Sequence, residues 1–348
     1  MVNSPVWRVR SQHVPSCSLL LRVVLAAFLA CLPVCGQAAQ SSETAEKHWY
    51  KGNLHTHTLN SDGDSTPDEV VTWYREQRYN FLVLTDHNYL TDIAGLNAVH
   101  GARDKFILVS GEEVSDRFEK KPIHLNAYKP SRLVEPQHGD SVASVIQNNV
   151  DEIRKADGVP ALNHPNFGWA VSVEDMLAVK GLGLFEVYNG HPMVNNDGGG
   201  GFKSLDEMWD ALLTAGQTLY GIAVDDAHHF KRFGKEFSNP GHGWVVVRAE
   251  SLTSDAVVGA LTRGDFFATT GVRIGDISTG PAEYRIQIET ADWERVTTYF
   301  IGAGGKVLDK VHGNTASYRY NGSEQYVRAR VESSSGAKAW TQPVFKRR

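Results

Sequence analysis

Six histidines and three or four carboxylates stand at positions in this chain where they can act together. His55-Thr56-His57 is followed five residues on by Asp62, in the turn Ser61-Asp62-Gly63. Asp86-His87, Glu112-Glu113, His124, Asn163-His164 and Asp225-Asp226-Ala227-His228 come next in order. All but Asp62 and His124 directly follow a short apolar run, and His124 lies within one. Unpaired carboxylates gathered at one place repel each other, and cations remove the problem. Neutral imidazole and carboxylate are the donors that zinc, manganese and iron accept. Nine such donors suit three divalent metal ions. A bound metal lowers the pKa of its water from about 15.7 to about 7, so the chemistry expected is hydrolysis at neutral pH.

Those residues must be carried by elements that end at a common face. The runs Trp49–Leu54, Phe81–Thr85, Phe106–Ser110, Ile123–Tyr128, Val159–Leu162, Leu184–Tyr188 and Leu219–Val224 read as buried strands. Helical stretches lie between them. Thr66-Pro67-Asp68-Glu69 is a capping box with proline at the first helical position; Ser141 and Ser204 open two further helices that stop near Gly158 and Gly216. Strand–helix alternation of this kind implies an α/β architecture with a mainly parallel sheet, whose carboxyl edge forms the active face. The span 39–275 is about the size of a closed β/α barrel, typically ~250 residues. From residue 276 to 348 the pattern changes to period two, with turns at Gly280-Pro281, Gly302–Gly305 and Ser333–Gly336. That part reads as a small antiparallel β domain.

His-Thr-His…Ser-Asp, Thr-Asp-His, Gly-Glu-Glu, Asn-His-Pro and Asp-Asp-Ala-His, in this order, resemble the polymerase and histidinol phosphatase (PHP) superfamily over about residues 50–275. Phe266-Phe-Ala-Thr-Thr-Gly-Val and Ala339-Trp-Thr-Gln-Pro are similar to an exported branch that includes carbaryl-hydrolase-like enzymes. The resemblance implies a distorted seven-stranded β/α barrel with a trinuclear metal centre. It places His55, His57, Glu113 and Asp226 on one metal, with Glu113 bridging to a second held by His124 and His164. Asp62, His87 and His228 would hold the third. Glu113 and Asp226 are the catalytic candidates; the Gly-x-Glu pattern selects Glu113 over Glu112. The Asp-x-His pattern selects Asp226 over Asp225, and residues 226 and 228 of a strand share a side, which supports it. Asp86, Asn163 and Asp225 are expected to orient the ligands. His191, His229 and His242 read as surface or packing residues, and the glycines 198–201 as a flexible lid.

The composition limits the partners. The chain of 348 residues carries 35 Lys and Arg, 40 Asp and Glu, and a net charge of −5. Arg8, Arg10 and Arg22 with the apolar run 23–34 form a secretory leader, cleaved after Ala38. Removing residues 1–38 takes away three Arg, no acid and every cysteine, leaving a charge of −8 and no thiol chemistry. The protein is therefore expected outside the cytoplasm, periplasmic or secreted, touching a membrane only if the leader is retained or lipidated. A chain so acidic is no nucleic-acid partner. The expected activity is hydrolysis of a small phosphomonoester or phosphodiester. Lys203 and Arg273, with Lys231 and Arg232 nearby, are the basic residues available to hold phosphate. Carboxyl or carbamate ester hydrolysis is the first alternative, and a non-catalytic secreted binding protein the second.

Overall fold

The computed structural model describes residues 46–345, so the leader lies outside the described residues. The chain opens with β1 (His48–Asn53), α1 (Pro67–Glu76), β2 (Phe81–Val83), α2 (Ala94–His100) and β3 (Ile107–Val109). A tight hairpin of β4 (Gly111–Phe118) and β5 (Lys121–Tyr128) follows, then α3 (Val142–Lys155), β6 (Val159–Leu162) and α4 (Val173–Leu177). Next come β7 (Leu184–Asn189), α5 (Leu205–Thr214), β8 (Tyr220–Val224), β9 (Trp244–Ala249), α6 (Ser254–Arg263) and β10 (Phe266–Thr269). The rest is antiparallel: β11 (Arg273–Thr279), β12 (Glu283–Glu289), β13 (Val296–Gly302), β14 (Lys306–His312), β15 (Thr315–Arg319), β16 (Tyr326–Ser333), β17 (Lys338–Thr341) and β18 (Val344–Phe345).

Local chemistry accounts for the helices. The Thr66 hydroxyl accepts the Glu69 N–H, and the Glu69 carboxylate accepts the Thr66 N–H at 2.7 Å, closing the expected capping box. Ser141 and Ser204 cap α3 and α5 in the same way. One face of α5 buries Leu205, Met208, Trp209, Leu212 and Leu213, and the Trp209 indole donates to the Leu219 carbonyl at 2.9 Å. Each fully buried side chain of this kind contributes roughly 1.5–3 kcal/mol.

The architecture is mixed α/β with several sheets. β1, β2 and β3 pair in parallel, as do β6, β7 and β8. β4 and β5, however, run antiparallel, and β9 pairs antiparallel with β1, so the expected mainly parallel sheet is mixed. The expected closed seven-stranded barrel is not formed: β1–β3 and β4–β8 belong to separate open sheets. The reason lies at the seams. Only single parallel bridges, Thr56 to Ala227 and His87 to Glu113, join the two sheets there. The residues at these seams aim polar side chains at a common centre instead of continuing a ladder. β10 joins β9 to β17, so strands beyond residue 276 continue the sheet that contains β1.

Candidate metal centre

The carboxyl-end extensions of four strands carry the site. Beyond β1, the His57 N–H donates to the Ala227 carbonyl at 2.9 Å, and the Asp226 N–H donates to the His55 carbonyl at 3.0 Å. Beyond β2, the Asn88 N–H donates to the Glu113 carbonyl at 2.8 Å. These main-chain bonds set His57 beside Asp226 and His87 beside Glu113. Asp226 is not on a strand: it follows the end of β8 with φ +51°, a left-handed conformation that directs its carboxylate to the centre. Period-two geometry, offered in support of Asp226 over Asp225, does not apply; the Asp-x-His pattern does not depend on it. His164 is similarly constrained, at φ +25°. Gly63 passes so close that a Cβ would lie 2.7 Å from the His57 carbonyl, which keeps Asp62 near that ring.

Two buried histidine nitrogens each lie against the same two carboxylate oxygens. His55 Nε2 lies 3.3 Å from both Glu113 Oε2 and Asp226 Oδ1; His57 Nε2 lies 3.3 and 3.2 Å from the same two oxygens. Among the described residues His55 Nε2, His57 Nε2 and Glu113 Oε2 have no hydrogen-bond partner, though His87 Nδ1 lies 3.0 Å from Glu113 Oε2. His55, His57 and Asp226 each offer a ligand atom within 4.8 Å of the others, as do His57, Asp62, His87 and His228, and His87, Glu113 and His124. These residues therefore fit a divalent metal ion. The other carboxylate oxygen of the bridging candidate, Glu113 Oε1, faces His124 Nδ1 at 3.1 Å and His164 Nε2 at 3.4 Å. Asp62 Oδ1 lies 3.3 Å from His228 Nε2, and its Oδ2 lies 3.5 Å from His87 Nε2. All nine expected ligand residues are thus linked to one another through these contacts.

Outer hydrogen bonds fix the ring orientations. His228 Nδ1 is 2.9 Å from the Asp226 carbonyl, and His87 Nδ1 is 2.5 Å from Ser115 Oγ, leaving each Nε2 toward Asp62. The Asn163 amide donates to Glu113 Oε1 at 2.8 Å. Asp86 and Asp225 accept from backbone N–H groups and hydroxyls, and Asp86 reaches the His57 ring only through Ser61, whose Oγ lies 3.4 Å from His57 Nδ1. Asp86 accepts the Thr58 N–H and the Ser61 and Thr91 hydroxyls, holding the loop that presents Asp62. Asp225 accepts from the Tyr74 hydroxyl and the His242 and Gly243 N–H groups.

Two residues absent from the expected set complete the site. Glu186 Oε1 accepts from His55 Nδ1 at 2.6 Å, while its Oε2 accepts the His164 N–H and the Asn189 amide. Asn189 also donates to Asp226 Oδ2 at 3.0 Å. The available signal was a glutamate inside the apolar run Leu184–Tyr188, where burial demands a partner.

The charges are strongly coupled. Burial opposes it, but Asp226, Glu113 and Glu186 hold the His55 imidazole well above its usual range. Burial and neighbouring His228 push His57 down to about 3. Against its burial, His87 is raised to about 10 by Glu113 and Asp62. Glu113 and Asp226 are held well below the carboxylate range despite burial, chiefly by His55. Without a metal the cluster retains protons that a cation would displace. Glu112 points the other way along β4, accepts the Val134 N–H and is raised by burial to about 7.

The basic candidates are elsewhere. Arg273 lies 3.8 Å from Glu289 and lines a cavity of about 550 Å³ with His242 and Trp293. Lys203 lines a smaller cavity with Asn166 and Phe202. Among the described residues, neither is paired with a ligand of the cluster. The glycines 198–201 all have positive φ, and Phe202 beyond them stacks on Trp169 at 4.3 Å.

No protein-family model matches the chain, and no curated protein matches it. Among solved structures, it is similar to a two-domain protein from Bacteroides vulgatus containing a predicted PHP-like metal-dependent phosphoesterase. That likeness has 15% identity and a TM-score of 0.49, covering 82% of this chain and 90% of the other. An amidohydrolase from Chromobacterium violaceum gives 17% identity and a TM-score of 0.37, covering 52% and 88%. A lesion-specific endonuclease from Pyrococcus furiosus gives 14% and 0.41, covering 62% and 56%. With each TM-score below one half, these are partial likenesses of chain path, and the functional reading comes from the side chains of the cluster.

Proposed function

We propose that the protein is a metal-dependent hydrolase of the PHP type, cleaving a small phosphomonoester or phosphodiester. The observation that carries this reading is the pair of buried nitrogens His55 Nε2 and His57 Nε2, each 3.2–3.3 Å from both Glu113 Oε2 and Asp226 Oδ1. Three ions are proposed, the second at His124, His164 and Glu113 Oε1, the third at Asp62, His87 and His228. Zinc, manganese and iron all suit this donor set. Bound there, the metals supply a nucleophile at neutral pH and positive charge for the oxygens of the transition state. Glu113 holds two spaces together, and Asp226 is kept in place by Asn189. Action in the periplasm or outside the cell is part of the proposal, supported by the sequence of residues 1–38, which reads as a secretory leader.

Carboxyl or carbamate ester hydrolysis is the second reading. It is favoured by exposed apolar side chains two positions from site histidines, Leu59 after His57 and Tyr89 after His87, and by the absence of Lys or Arg from the cluster's hydrogen bonds and ion pairs among the described residues. The test is metal-quantified protein offered bis-p-nitrophenyl phosphate, p-nitrophenyl phosphate and 1-naphthyl acetate beside His55→Ala. Phosphate turnover that the variant lacks supports the first reading. Turnover of the acetate alone supports the second, and metal binding without any turnover rejects both.

A further inference from the structure

His191 stands over the cluster without belonging to it. The chain leaves β7 through Gly190, which passes so close to the β8 end that a Cβ there would lie 2.8 Å from the Asp225 carbonyl and 2.9 Å from the His242 side chain. That approach places the His191 ring 5.7 Å from the ring of His228 and 5.8 Å from Phe167, whose ring is in turn 5.4 Å from His164. The loop is fixed on both sides. The His191 N–H donates to Asn189 Oδ1 at 2.8 Å, the Val194 N–H donates to the His191 carbonyl at 3.0 Å, and Phe167 pairs with Val194.

The ring has a defined tautomer. The Met193 N–H donates to His191 Nδ1 at 3.2 Å, so Nδ1 carries the lone pair and the proton resides on Nε2. Nε2 has no hydrogen-bond partner among the described residues. A half-buried imidazole with one nitrogen held by the backbone and an N–H left over, its ring 5.7 Å from that of the ligand candidate His228, is a preorganised donor.

We propose that His191 is a catalytic residue of this hydrolase, its Nε2–H donating a hydrogen bond to the leaving-group oxygen; the proposal rests on the reading of the previous section. A water-derived hydroxide oxygen forms the new bond to phosphorus. The bond to the leaving oxygen breaks with its electron pair on that oxygen, which then takes a proton from water. The His191 proton stays on the ring throughout. The contribution therefore grows with the charge the leaving oxygen must bear, and is small for a leaving group that is already a weak base.

The test compares wild type, His191→Ala and His191→Gln, each with its metal content measured, on p-nitrophenyl and phenyl esters of the phosphate class that wild type turns over. His191→Ala is expected to lose about 10²-fold in kcat/KM on the phenyl ester, less than about 5-fold on the p-nitrophenyl ester, and no metal. His191→Gln, which can place an N–H at similar reach, recovers part of the loss. Equal losses on both esters overturn the assignment. A second readout is independent of turnover: nitrogen–proton correlation spectra of the metal-free protein, with His191→Ala identifying the signal, should place the proton on Nε2. A proton on Nδ1 overturns the proposal. A metal-loaded wild type that hydrolyses neither ester removes the hydrolase reading itself, and this role with it; an active wild type with equal losses removes the role of His191 alone.

Discussion

His55 and Glu186 form a buried pair in which the ring Nδ1 lies 2.6 Å from Glu186 Oε1, while Nε2 of the same ring has no hydrogen-bond partner and faces Glu113 and Asp226. The carboxylate thus decides which nitrogen carries the lone pair, and it makes that nitrogen more basic. Its second oxygen accepts from the His164 backbone and the Asn189 amide, so one side chain orients three parts of the centre.

In Glu186→Gln the amide must turn one NH₂ toward an existing donor, either His55 Nδ1–H or the His164 and Asn189 pair. Metal affinity is expected to fall about 10–100-fold, the usual cost of losing such a partner. Competition with a chromophoric chelator measures it. Unchanged affinity would show that Glu186 is only a packing residue.

Glu112 and Glu113 are adjacent in sequence and opposite in environment. Glu113→Gln is expected to abolish binding of at least one metal, since both of its oxygens face ligand histidines. Glu112→Gln should keep the full metal content and raise stability. Burial lifts the Glu112 carboxyl to about 7. A group with a raised folded pKa contributes stability below the unfolded value, and that contribution is lost as pH rises through the folded one. The amide has no such loss, so Glu112→Gln should gain on the order of 1–3 kcal/mol above about pH 7 and little below about pH 5. Denaturant melts of the two variants at both pH values, with metal analysis, separate the roles.

Metal removal should reverse the pH dependence of stability. In the metal-free protein His87 is raised to about 10, so its contribution is complete below its unfolded value near 6.5 and drains away as pH climbs toward 10. His55, also raised, has the same sign. Metal and proton compete for these nitrogens, so binding tightens over the same range. From about pH 6.5 to about pH 9 the chelated protein should lose thermal stability while the metal-loaded protein holds or gains it. Melting curves with and without chelator check this; parallel curves would mean that no metal occupies the cluster.

Much of this site was legible because metal ligands must be particular residue types at strand ends. His55, His57, His87, His164 and His228 needed only the order of apolar runs. What escaped was set by three-dimensional contact. β4 has the polar sequence GEEVSDRF, whose pattern is interrupted by Glu113 and Ser115 turning toward the cluster, so it does not read as a strand. Asp226 reaches the centre through a left-handed backbone that no alternation rule describes. The barrel expected from strand–helix alternation assumes unbroken pairing, yet the ladder is reduced to single bridges at His87–Glu113 and Thr56–Ala227, beside the ligands themselves. Lys203 and Arg273 were chosen for closeness in sequence, a poor guide where loops diverge after each strand.

The boundary near residue 275 leads to a last prediction, because the antiparallel region is bonded into the rest of the chain. Arg328 on β16 is fully buried, with Nη2 at 2.6 Å from Asp210 and 2.9 Å from Asp206 on α5, and its guanidinium lies over the Trp209 ring. Arg330 pairs with Asp206 as well. β17 supplies the outer partner of β10, and the Gln342 side chain exchanges hydrogen bonds with both backbone groups of Gly221 on β8. Breaking a buried pair from one side strands the opposite charge, at a cost of about 3–5 kcal/mol. Arg328→Leu should therefore destabilise the whole protein by that amount in denaturant melts, whereas Asp210→Asn should cost less because its amide oxygen can still accept. A chain ending at residue 275 should expose the β10 edge and the apolar faces of Phe267 and Trp49, and is expected to be insoluble or unfolded. If residues 39–275 instead yield a cooperative, metal-binding protein, the β16–α5 ion pairs are dispensable and the two parts fold separately.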